Sequence, residues 1–92
     1  MTSLENSDTT FSKEAFEDFV AWAIINKKIL KRINALIADI HRNGPLEGIG
    51  EPERLKYGTE RYSRRINQEH RLVYTIRSGS LFVISCKGHY DD

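Results

Sequence analysis

The chain has 92 residues, of which 39% are hydrophobic and 29% are charged, with a formal net charge of +1. This balance is typical of one globular domain and excludes a disordered or fibrous protein. No apolar run approaches the ~20 residues of a membrane helix, and the polar N-terminus lacks a signal-peptide core. We therefore predict a single cytoplasmic domain over residues 1–92, without membrane association.

The charges are distributed unevenly along the chain. Residues 1–23 carry five acidic side chains against Lys13, and Asp91 and Asp92 follow near the other end. Residues 24–90 hold 13 basic and 6 acidic side chains. This cationic body fits a polyanionic partner, but a solvated surface of mixed charge explains the pattern equally well.

The cysteine content limits the chemistry. Cys86 is the only cysteine, so an internal disulfide and a multi-cysteine metal site are excluded. Because it lies in an apolar run, we predict a small core residue rather than a nucleophile.

The first half of the chain predicts two helices. Residues 1–10 are polar and indicate a flexible leader, whose end could pair as a short edge strand at residues 9–11. Ser12 is a suitable N-cap for an amphipathic helix over residues 13–25. Aliphatic residues at three-and-four spacing indicate a second helix over residues 27–42. Its basic face is open to three interpretations: a solvated surface, an RNA contact or a contact with an acidic protein.

The second half of the chain predicts a sheet, because the apolar period changes to two. The predicted strands cover residues 53–57, 62–66, 69–77 and 81–87. Two helices followed by such strands predict an α+β fold, in which two N-terminal helices pack on one face of a twisted antiparallel sheet.

Alternation along the third of these strands assigns its side chains to two faces. If Leu72 and Tyr74 face the helices, Arg71 must project from the uncovered face. Neighbouring strands could bring further polar residues to the same surface, namely Glu53, Lys56, Arg65 and His89. Since the strand register cannot be read from one sequence, this convergence is a hypothesis.

Three segments of the chain carry a family resemblance. They are residues 42–56, residues 62–74 and the closing pair His89-Tyr90, and the second contains the run Ser-Arg-Arg-Ile-x-x-Glu-His-Arg-Leu-Val-Tyr. Together they resemble the YoeB toxins, which form the Txe/YoeB branch of the RelE toxin superfamily. The likeness extends from about Phe11 to Tyr90, nearly the whole chain.

The resemblance implies a biological role. YoeB-like proteins are the toxins of type II toxin–antitoxin pairs, and they cleave mRNA in the ribosomal A site and so stop translation. The implied partners are the ribosome, its mRNA and a YefM-like antitoxin, through which the complex binds operator DNA. A homodimer is compatible with the family, and no metal or other cofactor is expected.

The resemblance also implies roles for individual residues. Glu53 falls on the general base that accepts the 2′-hydroxyl proton, and Arg71 falls on the phosphate-binding arginine. His89 takes the general-acid position at the 5′-oxygen, and Tyr90 would orient the phosphate or stack on a base. Such a set suits RNA, which carries its own nucleophile, and the expected product is a 2′,3′-cyclic phosphate. Supporting phosphate contacts fall on Lys56 and Arg65.

Two alternatives remain open for the function. One is a non-enzymatic toxin of the same fold, like the ParE-type gyrase inhibitors, and the other is a corepressor that only binds its antitoxin. A base, a phosphate-binding residue and an acid have no purpose in a gyrase inhibitor, so the set favours the enzyme over that alternative.

Three further residues carry expectations of their own. Gly88 stands where relatives have a tyrosine or another larger residue, which removes a stacking ring beside the proposed acid and loosens the backbone. His70 is predicted to point inward and to be structural. His41 is predicted to lie on the surface of the second helix.

Overall fold

The computed structural model describes residues 3–5, 7–56 and 60–88 and contains two helices and one five-stranded sheet. The elements in chain order are β1 (Thr9–Phe11), α1 (Lys13–Ile25), α2 (Lys27–Asn43), β2 (Glu53–Arg54), β3 (Tyr62–Arg65), β4 (Arg71–Arg77) and β5 (Ser80–Ser85). The predicted α+β fold is confirmed. Of the helices described, neither α1 nor α2 combines the length and apolar character needed to cross a membrane.

Polar caps set the ends of the two helices. The Ser12 hydroxyl accepts a hydrogen bond from the backbone N–H of Ala15 at 3.0 Å, which fixes the start of α1. Asn26 ends α1, and its side chain accepts from the N–H of Ile29 at 3.2 Å to begin α2. Gly44 ends α2 at a φ of +89°, a region that favours glycine. The helices therefore lie where the sequence predicts, with α2 one residue longer.

The sheet has the strand order β1-β5-β4-β3-β2 and is mixed rather than wholly antiparallel. The predicted edge strand at residues 9–11 is present, but it pairs parallel to β5. The other neighbouring strands are antiparallel. Ser12 secures the crossing from β1 into α1, because its N–H donates to the Val83 carbonyl at 2.9 Å.

The described part of the leader is attached to α2. The backbone N–H of Leu4 donates to the His41 carbonyl at 3.0 Å, and Leu4 packs against the hydrophobic core. The His41 Nε2 atom lies 2.7 Å from the Thr9 hydroxyl oxygen. The predicted surface position of His41 is therefore wrong: the side chain is half-buried, because β1 passes this end of α2.

The helices cover one face of the sheet with a continuous apolar core. Its fully buried members come from both helices, β4 and β5 and include Ala15, Ile33, Leu36, Ile40, Leu72, Tyr74, Leu81 and Val83. Burial of each large aliphatic side chain stabilises the fold by roughly 1.5–3 kcal/mol. Cys86 is also fully buried and donates to the Ala15 carbonyl at 3.5 Å. Because burial raises its pKa to about 12, the thiol is inert, as predicted for a core residue.

A β-bulge in β5 changes which side chains face the helices. Tyr74 pairs with Val83, whereas the preceding Val73 pairs with Ser85, so Ile84 is an extra residue on β5. Val83 and Cys86 consequently both reach the core although three positions separate them. Simple alternation over residues 81–87 does not predict that the side chains after Ile84 exchange the faces to which they point.

Candidate functional site

The strand register brings three of the predicted site residues to the sheet face that the helices leave open. Arg65 of β3 pairs with Arg71 of β4. Glu53 of β2 pairs with Ser63, which lies two residues before Arg65 and so on the same face. The open face therefore carries the carboxylate of Glu53 and the guanidinium groups of Arg65 and Arg71. The Arg65–Arg71 pair lies next to the strand position of the Glu53–Ser63 pair.

Arg71 lies where β4 meets the C-terminal segment. Its side chain is half-buried, and its Nη1 atom donates to the Asn67 carbonyl at 3.1 Å. Its backbone N–H donates to the Gly88 carbonyl at 2.9 Å, which extends the pairing beyond the end of β5. His89 and Tyr90, the predicted acid and its neighbour, follow Gly88 in sequence and lie outside the described residues.

Arg65 and Glu53 are both exposed, and the backbone before β2 holds them near each other. The Arg65 Nε atom lies 3.7 Å from a Glu51 carboxylate oxygen, and its backbone N–H donates to the Gly50 carbonyl at 2.7 Å. The Arg65 carbonyl accepts from Nη2 of Arg32 at 3.1 Å. These contacts attach the segment that carries Glu53 to the end of β3.

Lys56 lies beyond the paired residues of β2, so the strand register does not assign it to this face. The predicted strand over residues 53–57 is too long, because β3 begins only at Tyr62 and offers β2 two partner residues. The last backbone contact of this pair of strands is the N–H of Leu55 with the Arg61 carbonyl at 2.9 Å. Lys56 follows at an exposed bend, where strand alternation does not determine its direction.

Arg64, which precedes Arg65 in β3, has a role that the sequence pattern did not predict. Its side chain is fully buried on the helix-covered face of β3. All five of its N–H donors have partners between 2.5 and 2.9 Å. The partners are a carboxylate oxygen of Asp39, the Tyr74 hydroxyl and the carbonyls of Gly44, Glu47 and Ile49.

This arrangement fixes the protonation of two buried groups. Burial works to raise the pKa of Asp39, but hydrogen bonds from Arg64 and from the N–H of Ile49 outweigh it and hold the pKa below its ordinary value. Burial raises the pKa of Tyr74 to about 12, so its hydroxyl stays protonated and donates to the Pro45 carbonyl at 2.6 Å. The network therefore joins an ionised carboxylate and a neutral phenol.

The Arg64 network orders the loop that leads to Glu53. Its carbonyl partners span residues 44–49, and the loop then passes Gly50 at a φ of +85°. A Cβ atom on Gly50 would lie 2.8 Å from a Leu36 methyl group, so the close approach requires glycine. The available sequence signal was the position of Arg64 between Tyr62 and Ile66, both on the covered face.

His70 supports the site from within the protein, as its predicted inward orientation implies. Its ring contacts Trp22 edge-on, with 4.9 Å between centroids, and its Nδ1 atom accepts from the Gly88 N–H at 2.9 Å. Gly88 has a φ of +89°, and a Cβ atom there would meet nothing within 4 Å. The described residues therefore leave space beside Gly88, and its positive φ favours glycine.

The chemistry available on the open face is proton acceptance combined with anion binding. An exposed carboxylate can take a proton from a hydroxyl, and guanidinium groups bind phosphate oxygens through paired N–H donors. Among the described residues, no group of three or more His, Cys, Asp or Glu side chains is placed to hold a metal ion.

Comparison with known proteins identifies the family. Residues 11–90 match the family model described as "YoeB-like toxin of bacterial type II toxin-antitoxin system". The chain belongs to this family. A curated YoeB toxin from Synechocystis is 51% identical over 81 residues, which cover 87% of this chain and 93% of the relative.

Solved structures of YoeB proteins from Staphylococcus aureus share the fold. One is a heterotetrameric YoeB–YefM toxin–antitoxin complex, with 54% identity, a TM-score of 0.85 and coverage of 90% of this chain and 97% of that one. Another is a YoeB dimer, with 52% identity, a TM-score of 0.86 and the same coverage. An archaeal RelE–RelB complex from Pyrococcus horikoshii, 14% identical with a TM-score of 0.68, shows the fold alone and covers 96% of each chain.

Proposed function

We propose that this YoeB-family protein is a ribosome-dependent endoribonuclease that cleaves mRNA in the A site and so inhibits translation in the cytoplasm. The observation that carries the proposal is the position of Glu53, Arg65 and Arg71 on one open sheet face. Gyrase inhibition or pure corepression would have no use for a carboxylate beside two phosphate-binding groups.

The proposed reaction uses the RNA's own 2′-hydroxyl as the nucleophile. Glu53 accepts its proton while the 2′-oxygen attacks the phosphorus atom, and Arg71 and Arg65 stabilise the charge on the non-bridging oxygens. His89 donates a proton to the departing 5′-oxygen. The products are a 2′,3′-cyclic phosphate and a free 5′-hydroxyl. Tyr90 orients the phosphate or stacks on a base, and Lys56 adds positive charge.

A YefM-like antitoxin is the proposed inhibitor of this site. Residues 24–90 hold more than twice as many basic as acidic side chains, which suits an acidic partner as well as RNA. The related Staphylococcus aureus protein was solved in complex with YefM, which supports the same pairing here. Operator DNA would be bound through the antitoxin within the complex.

A homodimer is also proposed, with an apolar stripe on α1 as its contact. Phe16, Val20 and Ile24 recur every four residues and are 57%, 42% and 76% exposed. Exposed apolar side chains on one helix face mark association surfaces, and a related toxin was solved as a dimer. We expect Ile24→Asp to convert the dimer to a monomer in analytical ultracentrifugation, whereas Glu17→Gln leaves it dimeric. A wild-type monomer at micromolar concentration would contradict this contact.

Cleavage on programmed ribosomes tests the enzymatic proposal. We expect wild-type protein to cut the mRNA at the A-site codon, and Glu53→Gln and Arg71→Gln each to reduce the rate by about 100-fold or more. Lys13→Gln, which changes an exposed lysine at the start of α1, should leave the rate unchanged. Intact mRNA together with inhibited gyrase supercoiling would favour the ParE-like alternative, and full activity of Glu53→Gln would refute its role as the base.

A further inference from the structure

We infer that a groove on the open sheet face, separate from the candidate catalytic site, binds a nucleobase of the RNA that the protein cleaves. The groove has a volume of about 420 Å³, within the ~300–1,000 Å³ typical of small-ligand sites. Thr75 of β4 and Phe82 and Ile84 of β5 line it, and Glu60 and Arg61 form one wall. The inference rests on the proposed function, since it assigns a position to the same RNA substrate.

A stacked pair of side chains marks the groove as a surface for flat, anionic ligands. The Arg77 guanidinium carbon lies 4.0 Å from the centroid of the half-buried Phe82 ring. Arginine planes and aromatic rings are the two side-chain types on which unpaired bases stack. Arg77 is exposed and takes part in none of the ion pairs among the described residues. Its charge is therefore available to a phosphate beside the stacked base.

The groove and the candidate catalytic site lie at opposite ends of one sheet face, and the buried Val73 of β4 lies between them. Arg71, Thr75 and Arg77 lie even numbers of positions apart along β4. Because side chains alternate along a strand, the three lie on the same face of the sheet. At ~3.3 Å per residue, Thr75 is about 13 Å and Arg77 about 20 Å from Arg71 along the strand. A few linked nucleotides can cover that distance. RNA held at Arg71 can therefore reach the groove within a few nucleotides.

The charge of the groove suits RNA, and its stacked Arg77–Phe82 pair favours RNA over a peptide of the antitoxin. Among the described residues that line the groove, the one carboxylate is that of Glu60. This group lies 3.4 Å from Arg54 and accepts from the Tyr62 hydroxyl at 3.3 Å, so its charge is partly offset. Arg61 and Arg77 contribute two positive charges to the rim. A cationic groove with a preformed aromatic stack has the properties of a single-stranded nucleic-acid site.

Base removal in the substrate gives the sharpest test. The probes are mRNAs bound to programmed ribosomes, each with one abasic ribonucleotide at a position flanking the cleaved bond. At one such position, we expect base removal to slow wild-type cleavage about 10-fold. Phe82→Leu should slow cleavage of intact mRNA by a similar factor and show no further loss with that abasic mRNA. Lys13→Gln should behave as wild type with both.

A binding measurement separates failure of the groove from failure of the proposed function. In the Glu53→Gln background, Phe82→Leu and Arg77→Gln should each weaken binding of a fluorescent oligoribonucleotide about 10-fold by anisotropy, with unchanged thermal melting. If wild-type protein does not cleave but this dependence holds, the groove stands and the endoribonuclease does not. If both variants bind and cleave RNA normally, the inference is overturned. Weakened binding of the antitoxin alone would instead identify the groove as a peptide site.

Discussion

The two faces of the sheet use neighbouring arginines in opposite ways. Arg64 faces the helices, is fully buried and donates all five of its N–H groups within the protein. Arg65 is the next residue, yet it is exposed on the open face, and its one side-chain ion pair, to Glu51, is long at 3.7 Å. The first guanidinium is already occupied by the fold, whereas the second remains accessible to a phosphate.

Exposure, and not residue type, therefore distinguishes the arginine that stabilises the fold from the arginine that is available to a ligand. A buried guanidinium is tolerated only when its N–H donors have hydrogen-bond acceptors and its charge has a counter-charge. The groups that supply these contacts are then fixed in position. Arg64 thereby fixes the loop before β2 and, through it, the backbone position of Glu53. The open face depends on the covered face for its geometry.

Exchanging the two arginines for methionine should give the largest contrast. We expect Arg64→Met to lower the free energy of unfolding by about 3–5 kcal/mol, because Asp39 and three loop carbonyls lose their buried partner. Arg65→Met should change it by less than about 0.5 kcal/mol while reducing mRNA cleavage. Urea unfolding checks both values. The double change Arg64→Met with Asp39→Leu should be less destabilising than Arg64→Met alone, and equal losses from Arg64→Met and Arg65→Met would refute the contrast.

Gly50→Ala should have the next largest effect, because Gly50 lies between the two faces. The added methyl group meets Leu36 at 2.8 Å and Arg64 Cβ at 3.2 Å, and the φ of +85° is strained for alanine. We expect a loss of about 2–3 kcal/mol in thermal unfolding. Gly88→Ala is the matched control, since Gly88 has a similar φ of +89° and a Cβ atom there would meet none of the described residues within 4 Å. It should lose only about 1 kcal/mol, and a loss as large as that of Gly50→Ala would exclude the close packing as the cause.

The smallest expected effect is a change in acid sensitivity. Because the pKa of folded Asp39 is depressed, its contribution to stability is present above its unfolded pKa of about 4 and is lost as the pH falls through the folded value. Asp39→Asn should therefore be less stable than wild type at pH 7, and its unfolding free energy should decline less steeply below pH 4. Urea unfolding from pH 7 to pH 3 measures the two slopes. Parallel slopes would mean that other carboxylates cause the acid response.

Much of the fold followed from the sequence because its signals were local. Ser12 and Gly44 marked helix ends through capping, and alternation assigned Leu72 and Tyr74 to the covered face. The parallel direction of β1 and the bulge at Ile84 did not follow, since both depend on pairing between distant segments. Two-residue β2 was overestimated because its length is set by where β3 begins.

The candidate site was only partly accessible to sequence reasoning. The family resemblance indicated Glu53, Arg65 and Arg71, and alternation along the strand predicted the face of Arg71. Only the strand register in the structure shows that the three residues lie close to one another on that face. The burial of Arg64 was not predicted, because a charged residue in a strand is expected to be exposed unless its buried partners are known. Those partners lie 10 to 25 residues away in the chain, where no periodic pattern reaches them.

The pairing of β1 with β5 has a consequence for the order of folding. β1 is the first strand of the chain and β5 the last, and the register joins Thr9 to Leu81. Contacts between such distant segments slow folding, because a long loop must close before they form. During synthesis, β1 has no partner until nearly the whole chain has been made. The nascent chain therefore cannot complete this sheet before the ribosome that makes it has almost finished its work.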